Sequence, residues 1–423
     1  MEVDIVINIY KINDDKFKGV YLSLNFMINS SKKIISENSV LSSILSKSTN
    51  KYKTQEDIEK HLASLYGANF NVNVEKYGDI ENVEFKIQCI NENVIDEKDK
   101  IVSKCIEFLH DIVFDNEISD NILDDNLFNR EKSFILEKIS ARKDEKLKYA
   151  VNRTEEMMSK SSGFGTFIFG DEEQVKSLTK EDIIAAYNNL INNSCITFLV
   201  SGNLTNYDNI EEEIKQIFKD KFDLGINIDS LSYNQNNLIN ENEEILEKCE
   251  STQSVITAGF VIDDVSEEDT YAINVYNAIL GSTPSSKLFQ IFREKESLAY
   301  TARSRYYRFK DMLVIYAGIQ KDNYEKAKEV IIRILKEIED GNITEDEFSA
   351  AKQSLVADLK EWQDSKTLMA KFLLTDIVTY KTNKRTIEEM QRKIMDVSIE
   401  DVINIAKKVN LKMWYLLGGE ISE

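Results

Sequence analysis

The side chains able to do chemistry are few in this chain, and their spacing limits what they could do. Among 423 residues there are only two histidines, His61 and His110. Imidazole is the commonest metal ligand and the usual general base near neutral pH, so their placement matters. His61 follows a capped helix start, Thr54 with Asp57 three residues on, and sits at the edge of an apolar side made by Ile58, Leu62 and Leu65. His110 ends a second helical pattern over 101–112. Each reads as a half-buried structural imidazole, a displaced metal ligand being the alternative. Cys89, Cys105, Cys195 and Cys249 are widely spaced with no C-x-x-C pair, the pattern of buried, reduced thiols. The glycine-rich run 163–170 matches neither a dinucleotide fingerprint nor a phosphate loop and reads as a turn that docks aromatics. The densest concentration of reactive types is 285–300, just after the only proline, Pro284. It contains Arg293 and, seven residues later, Tyr300. Taken alone these are a helix-terminus cation and an edge-strand aromatic. A guanidinium fork and a phenol are also both donors able to clamp a peptide carbonyl and stabilise the oxyanion formed when water attacks it.

Composition narrows the classes further. Asp and Glu exceed Lys and Arg by 74 to 53, a net charge of -21. Phosphate would be repelled, which argues against nucleic acid and favours cationic peptides as partners, an acidic and well-solvated cytosolic protein being the alternative on charge alone. The basic and aromatic run 303–310 is too short to reverse that inference and reads as a twisted strand with one solvated face. No run approaches the ~18 apolar residues of a membrane span, and the first residues lack a basic start and apolar core; this predicts no membrane and a cytoplasmic location. With 42% apolar and 30% charged residues the chain should be globular. Its length suggests two or three domains.

The elements that must position these side chains follow from periodicity. Residues 17–28 alternate as a strand with Val20, Leu22, Leu24 and Phe26 on one face, Tyr21 apart. Over 37–52, Val40, Leu41, Ile44 and Leu45 share a helical face. Residues 65–74 turn from helix into strand, and 84–90 pair with them as a hairpin. In the second half, 253–261 and 312–319 read as strands, with helices at 271–280, 324–340 and 344–362. A capped helix at 180–187 leads into the strand 195–200 and Gly202, and another at 399–406 leads into the strand 413–417 and Gly418. Ile118-Ser119 before a helix is echoed by Ile343-Thr344. Two such echoes, too far apart for a solenoid, predict two similarly folded α+β domains. The Asn-rich stretch 223–242 between them is the natural linker. The expected organisation is a domain over 1–225, a linker over 226–242 and a domain over 243–423.

The run 285–300 resembles a segment of the pitrilysin, insulinase and mitochondrial processing peptidase family: a small-Ser-Ser-basic-Leu-Phe start, then Arg-Glu-Lys, then Leu-Ala-Tyr. The resemblance spans most of the chain. It implies a pair of tandem homologous domains, each an antiparallel sheet flanked by helices, and assigns Arg293 and Tyr300 to holding substrate opposite a zinc site. The family's zinc helix carries His-x-x-Glu-His before a Lys-Gly-Thr-like end. Aligned on Lys47-Ser48-Thr49, that motif falls on Ser39, Ser42 and Ser43, so both imidazoles and the catalytic carboxylate are replaced by hydroxyls. The helix 128–139 resembles the one supplying the third ligand, which the match places at Glu137. Hydroxyls are poor zinc ligands, and Ser42 could not act as general base toward metal-bound water. No cofactor is therefore expected. The short 281–284 run, with one glycine, does not carry over the glycine-rich substrate loop of the larger mitochondrial subunit.

The resemblance thus implies a non-catalytic, pseudo-peptidase subunit that holds a peptide or small protein opposite the zinc of a homologous partner in a heterodimer. The overall pattern resembles the bacterial group associated with aminopentanol modification of elongation factor P. A purely structural or scaffolding subunit is the alternative, and a metallopeptidase using other ligands, with Glu137 as a remnant, is a third reading.

Overall fold

The computed structural model describes residues 7–92, 100–159, 163–205, 207–221, 223–232, 238–239, 241–249, 253–381 and 385–418, apart from the side chain of Tyr300. The Asn234–Asn237 part of the expected linker lies outside them. Along the chain come β1 (Asn8–Asn13), β2 (Gly19–Asn29), α1 (Lys32–Leu45), α2 (Gln55–Ser64), β3 (Asn69–Tyr77), β4 (Ile80–Ile90) and α3 (Ile101–Phe114). Next are α4 (Asp125–Ala141), α5 (Lys146–Met158), α6 (Glu172–Ser177), α7 (Lys180–Asn193), β5 (Cys195–Gly202) and α8 (Ile210–Ile217). The later part has β6 (Glu243–Glu247), β7 (Ser254–Ile262), α9 (Asp269–Asn277), α10 (Lys287–Phe289), β8 (Ala299–Tyr307), β9 (Met312–Ile319) and α11 (Tyr324–Glu339). It ends with α12 (Glu345–Gln363), α13 (Lys366–Tyr380), α14 (Ile387–Asp396), α15 (Ile399–Ala406) and β10 (Val409–Leu417).

These elements form two compact units, and the division is not a single cut in the Asn-rich stretch. The first unit comprises Met1–Ser140, Ser162–Tyr233 and Trp362–Lys384; the second comprises Ala141–Ser161, Asn234–Glu361 and Arg385–Glu423. Each unit therefore takes one helix from the other half of the sequence, α13 in the first and α5 in the second. The reason lies in the sheets, which have two faces to cover while the local helices cover one.

In the first unit the strand order is β1-β5-β2-β4-β3. Alternation puts Val20, Leu22, Leu24 and Phe26 on the face that meets Val40, Ile44, Phe108 and Leu109, all buried. The other face is polar: Tyr21, Ser23 and Asn25 of β2 lie beside Asn82 and Glu84 of β4, buried as well. The Tyr21 phenol donates to Glu84, and Asn82 donates to Asn25 at 3.0 Å. α13 packs against β5, β1 and β2, and Gln88 of β4 donates to its Thr367 at 3.4 Å.

The second unit repeats the order as β6-β10-β7-β9-β8. Both sheets are mainly antiparallel but mixed, because β1 runs parallel to β5 and β6 parallel to β10. Here α5 packs on β7, β9 and β10. A Cβ on Gly259 of β7 would stand 2.1 Å from the Met158 sulfur, so only glycine admits that approach.

The repeat extends to single side chains. Thr179 and Ser398 cap α7 and α15 with the same reciprocal box, formed with Asp182 and Asp401. The echo expected between Ile118-Ser119 and Ile343-Thr344 is displaced. Ile118 and Ser119 belong to a short turn capped by Asn116, and it is Asp124, accepting from Leu127 N, that matches Thr344, accepting from Glu347 N.

Candidate functional site

Helix α1 carries the three serines. Ser31 caps its start by accepting from Ile34 N, and its polar residues are unusually buried: Ser36, Asn38, Ser39 and Ser42 all lie inside. The Ser39 hydroxyl donates to Ser36 O at 2.9 Å and that of Ser42 to Ser39 O at 3.2 Å. Both are spent on their own helix, the usual resting place of a helical serine. Ser43 turns outward from this pattern and donates to Glu131 Oε2 at 2.7 Å. The other oxygen of that buried carboxylate accepts from Arg130 Nε at 2.8 Å.

The carboxylate beside the serine helix is thus Glu131 and not Glu137. Six residues along a helix rotate a side chain by ~240°, and Glu137 is exposed on the outside of α4. Periodicity held the signal: Phe128, Ile135 and Ile139 are the buried stripe of α4, and Glu131 is the glutamate within it.

Zinc implied by the resemblance does not fit these residues. Two of the three hydroxyls are committed to backbone carbonyls and the third to Glu131, which is already neutralised by Arg130. Among the described residues no three His, Cys, Asp or Glu side chains stand together as a metal-holding group. Nor do the histidines supply one. The His61 ring stacks on Tyr52 at 4.6 Å between centroids and lies 5.6 Å from Phe108. Burial, with help from the charge of Lys51, holds it below the usual imidazole range. His110 packs against Phe114 and Phe218.

A second buried carboxylate borders α1. Glu81 of β4 accepts from Asn38 Nδ2 at 2.7 Å through one oxygen, while its other oxygen is buried without a hydrogen-bond partner. Burial pushes it up to about 7, against smaller opposing effects from Asn38 and Lys76. Its neighbour in sequence, Asn82, had no periodic signal to mark it, since β4 is buried on both faces.

In the second unit, Arg293 stands on a wide turn, Gln290–Lys295, that continues α10. Leu288, Ile291 and Phe292 anchor this turn by burial. Gly281 packs so closely that a Cβ would come within 2.6 Å of Leu288 and Ser304. From this base the exposed Arg293 guanidinium lies 5.2 Å from the Phe289 ring centre. Tyr300 is the second residue of β8, an edge strand, and its side chain is outside the described residues. The basic and aromatic run beyond it is the rest of that strand and the turn following. Arg305 stacks on Tyr307 at 4.9 Å, and Tyr307 donates to Glu155 of α5.

Two units of identical strand order, each with helices on its sheet, define a tandem α+β architecture. Residues 177–355 match the family model described as Peptidase M16 inactive domain. A Bacillus subtilis (strain 168) protein, "Probable inactive metalloprotease YmfF", is 24% identical over 412 residues, covering 96% of this chain and 95% of that protein. A conserved protein from Enterococcus faecalis V583 has the same fold, with TM-score 0.89 and 24% identity over 100% of this chain and 99% of its own. A protease from Helicobacter pylori follows at TM-score 0.78 and 15% identity, covering 99% and 98%. By these similarities the chain is an inactive M16-peptidase-like protein. No described helix is long and apolar enough to cross a membrane.

Proposed function

We propose that this chain is the non-catalytic subunit of a two-subunit zinc peptidase, holding substrate peptide with Arg293 and Tyr300 opposite the zinc of a homologous partner. The observation that carries this reading is an asymmetry between the units. On α1 the hydroxyls of Ser39, Ser42 and Ser43 are committed within the first unit, and in the second Arg293 stands at the surface on an anchored turn. Donors of this kind lower a barrier only when a nucleophile faces them, so they belong with zinc-bound water supplied in trans. The net charge of -21 favours cationic peptides as substrates. The resemblance to the group associated with elongation factor P extends the reading to that modification.

The test mixes the purified chain with a co-encoded, zinc-bearing homologue and follows cleavage of a basic peptide. The pair should cleave and neither chain alone should. Arg293→Ala should lower turnover by ~100-fold while leaving the pair associated. Undiminished cleavage would reduce the chain to a scaffold, and chelator-sensitive cleavage by the chain alone would overturn the proposal. Deletion that leaves elongation factor P normally modified would remove the pathway link.

A further inference from the structure

The two units share one architecture, and comparing them exposes a groove that is filled in the first and open in the second. In the first unit α8 lies in the angle between α3 and β5. Ile210, Ile214 and Phe218, four residues apart, are buried along it. Phe218 meets Phe198 of β5 at 5.6 Å and His110 and Phe114 of α3 at 5.3 and 5.9 Å.

In the second unit α11 takes the place of α3 and β10 that of β5. Phe198 and Trp414 are equivalent, each four residues before a glycine, Gly202 at the end of β5 and Gly418 just after β10. They pair with equivalent partners, Leu24 of β2 and Ala258 of β7. Between α11 and β10 lies a groove of about 650 Å³ lined by Ile332, Leu411 and Trp414. Ile332 is 44% exposed there. Among the described residues no helix occupies it.

The charges around the groove say what would. Its three cations are already committed: Lys328 to Glu244 at 3.0 Å, Arg333 to Glu296 at 2.9 Å, and Lys336 to Glu339 and Asp340 at 2.9 and 3.0 Å. Glu329 and Glu337 also line it and have no ion-pair partner among the described residues. The rim is left negative on an already acidic protein.

We propose that this groove docks an amphipathic, cationic helix of a partner protein, seated as α8 is seated in the first unit: apolar residues four apart against Ile332, Leu411 and Trp414, and lysine or arginine toward Glu329 and Glu337. A second copy of this chain is disfavoured as the occupant. The helix it would offer, α8, has Glu211, Glu212 and Glu213 in its first turn and is already packed.

The test uses the full chain with Trp362→Phe, leaving Trp414 as the only tryptophan, and two helix-stapled peptides of the 208–219 sequence. One carries lysine in place of Glu211, Glu212 and Glu213; the other keeps the glutamates. The lysine peptide should give a saturable change in Trp414 fluorescence that weakens with salt, and the glutamate peptide should bind at least ~10-fold more weakly. Ile332→Asp, an exposed position whose change should leave the circular dichroism unaltered, should weaken the lysine peptide by ~10-fold or more. Equal binding of the two peptides, undiminished binding by Ile332→Asp, or no saturable signal up to about 1 mM would overturn the proposal. A concentration-dependent dimer in sedimentation that Ile332→Asp abolishes would also overturn it, by placing a second copy in the groove.

Discussion

Ser43 donates its hydroxyl proton to Glu131 across 2.7 Å, joining α1 to α4. Arg130 donates to the same carboxylate from the solvent side. Together they make a polar contact between α1 and α4.

That contact makes a stability prediction. Ser43→Ala leaves one oxygen of a buried carboxylate without its donor, which should cost about 1–2 kcal/mol in urea unfolding. Glu137→Ala, on the exposed side of α4, should change stability by less than about 0.5 kcal/mol. Equal effects would show that Glu131 and Glu137 have been placed in the wrong order.

The comparison also shows what the sequence could disclose. The serine helix was legible because its Lys-Ser-Thr end matches the family's, and β2 because Tyr21 alone breaks its alternation, being the residue that donates to Glu84. Glu137, placed by motif matching at the third position, is an exposed charge on α4, and the carboxylate that meets Ser43 is Glu131. Glu131 within the Phe128, Ile135, Ile139 stripe gave the helical phase. The exchange of α5 and α13 had no local signal. A helix that leaves its own half keeps the same periodicity, and only the polar second face of the sheets demands a cover.

Glu81 predicts a pH dependence. Burial raises it from 4.5 to about 7, so between those values the folded chain binds a proton that the unfolded chain has released. Stability from this group is complete below about 4.5 and declines as pH rises toward 7, by roughly 3 kcal/mol at most. Glu81→Gln keeps an acceptor for Asn38 and carries no charge. Its melting temperature should exceed the parent's at pH 8 and converge with it at pH 5. A constant difference at both pH values would show that Glu81 titrates as an ordinary glutamate.

Lys132 and Lys352 predict parallel consequences in the two units. Lys132 Nζ donates to Lys176 O and Leu178 O, both at 2.8 Å, closing the end of α6. Lys352 Nζ donates to Met395 O and Val397 O at 2.5 and 2.7 Å, closing the end of α14. Each also lies over a phenylalanine of its own helix, Phe128 or Phe348. Methionine at either position keeps the apolar stem and removes the donors, so each change should cost about 1–3 kcal/mol. Lys352 is the more deeply buried and should show the larger loss. A negligible effect at both would mean that water replaces the ammonium at no cost.

Glu247 fixes the borrowed helix of the second unit. Its carboxylate on β6 accepts from Tyr149 at 2.6 Å and Arg153 Nε at 3.1 Å, both on α5, and from Tyr415 of β10 at 3.0 Å. Burial alone would raise its pKa, but these donors outweigh it and hold the group below the usual carboxylate range. A depressed carboxyl stabilises the fold above its unfolded value near 4.5 and loses that contribution as pH falls through the lower folded value. Glu247→Gln should therefore destabilise at pH 7, by about 1 kcal/mol after solvent screening, and flatten the acid limb of the stability profile. The loosened element should be α5: amide exchange should accelerate over 146–158 while β2 and β4 of the first unit keep their protection. Acceleration confined to β6, with α5 unchanged, would show that Met158 against Gly259 and Thr154 against Thr257 hold the helix without the ionic anchor.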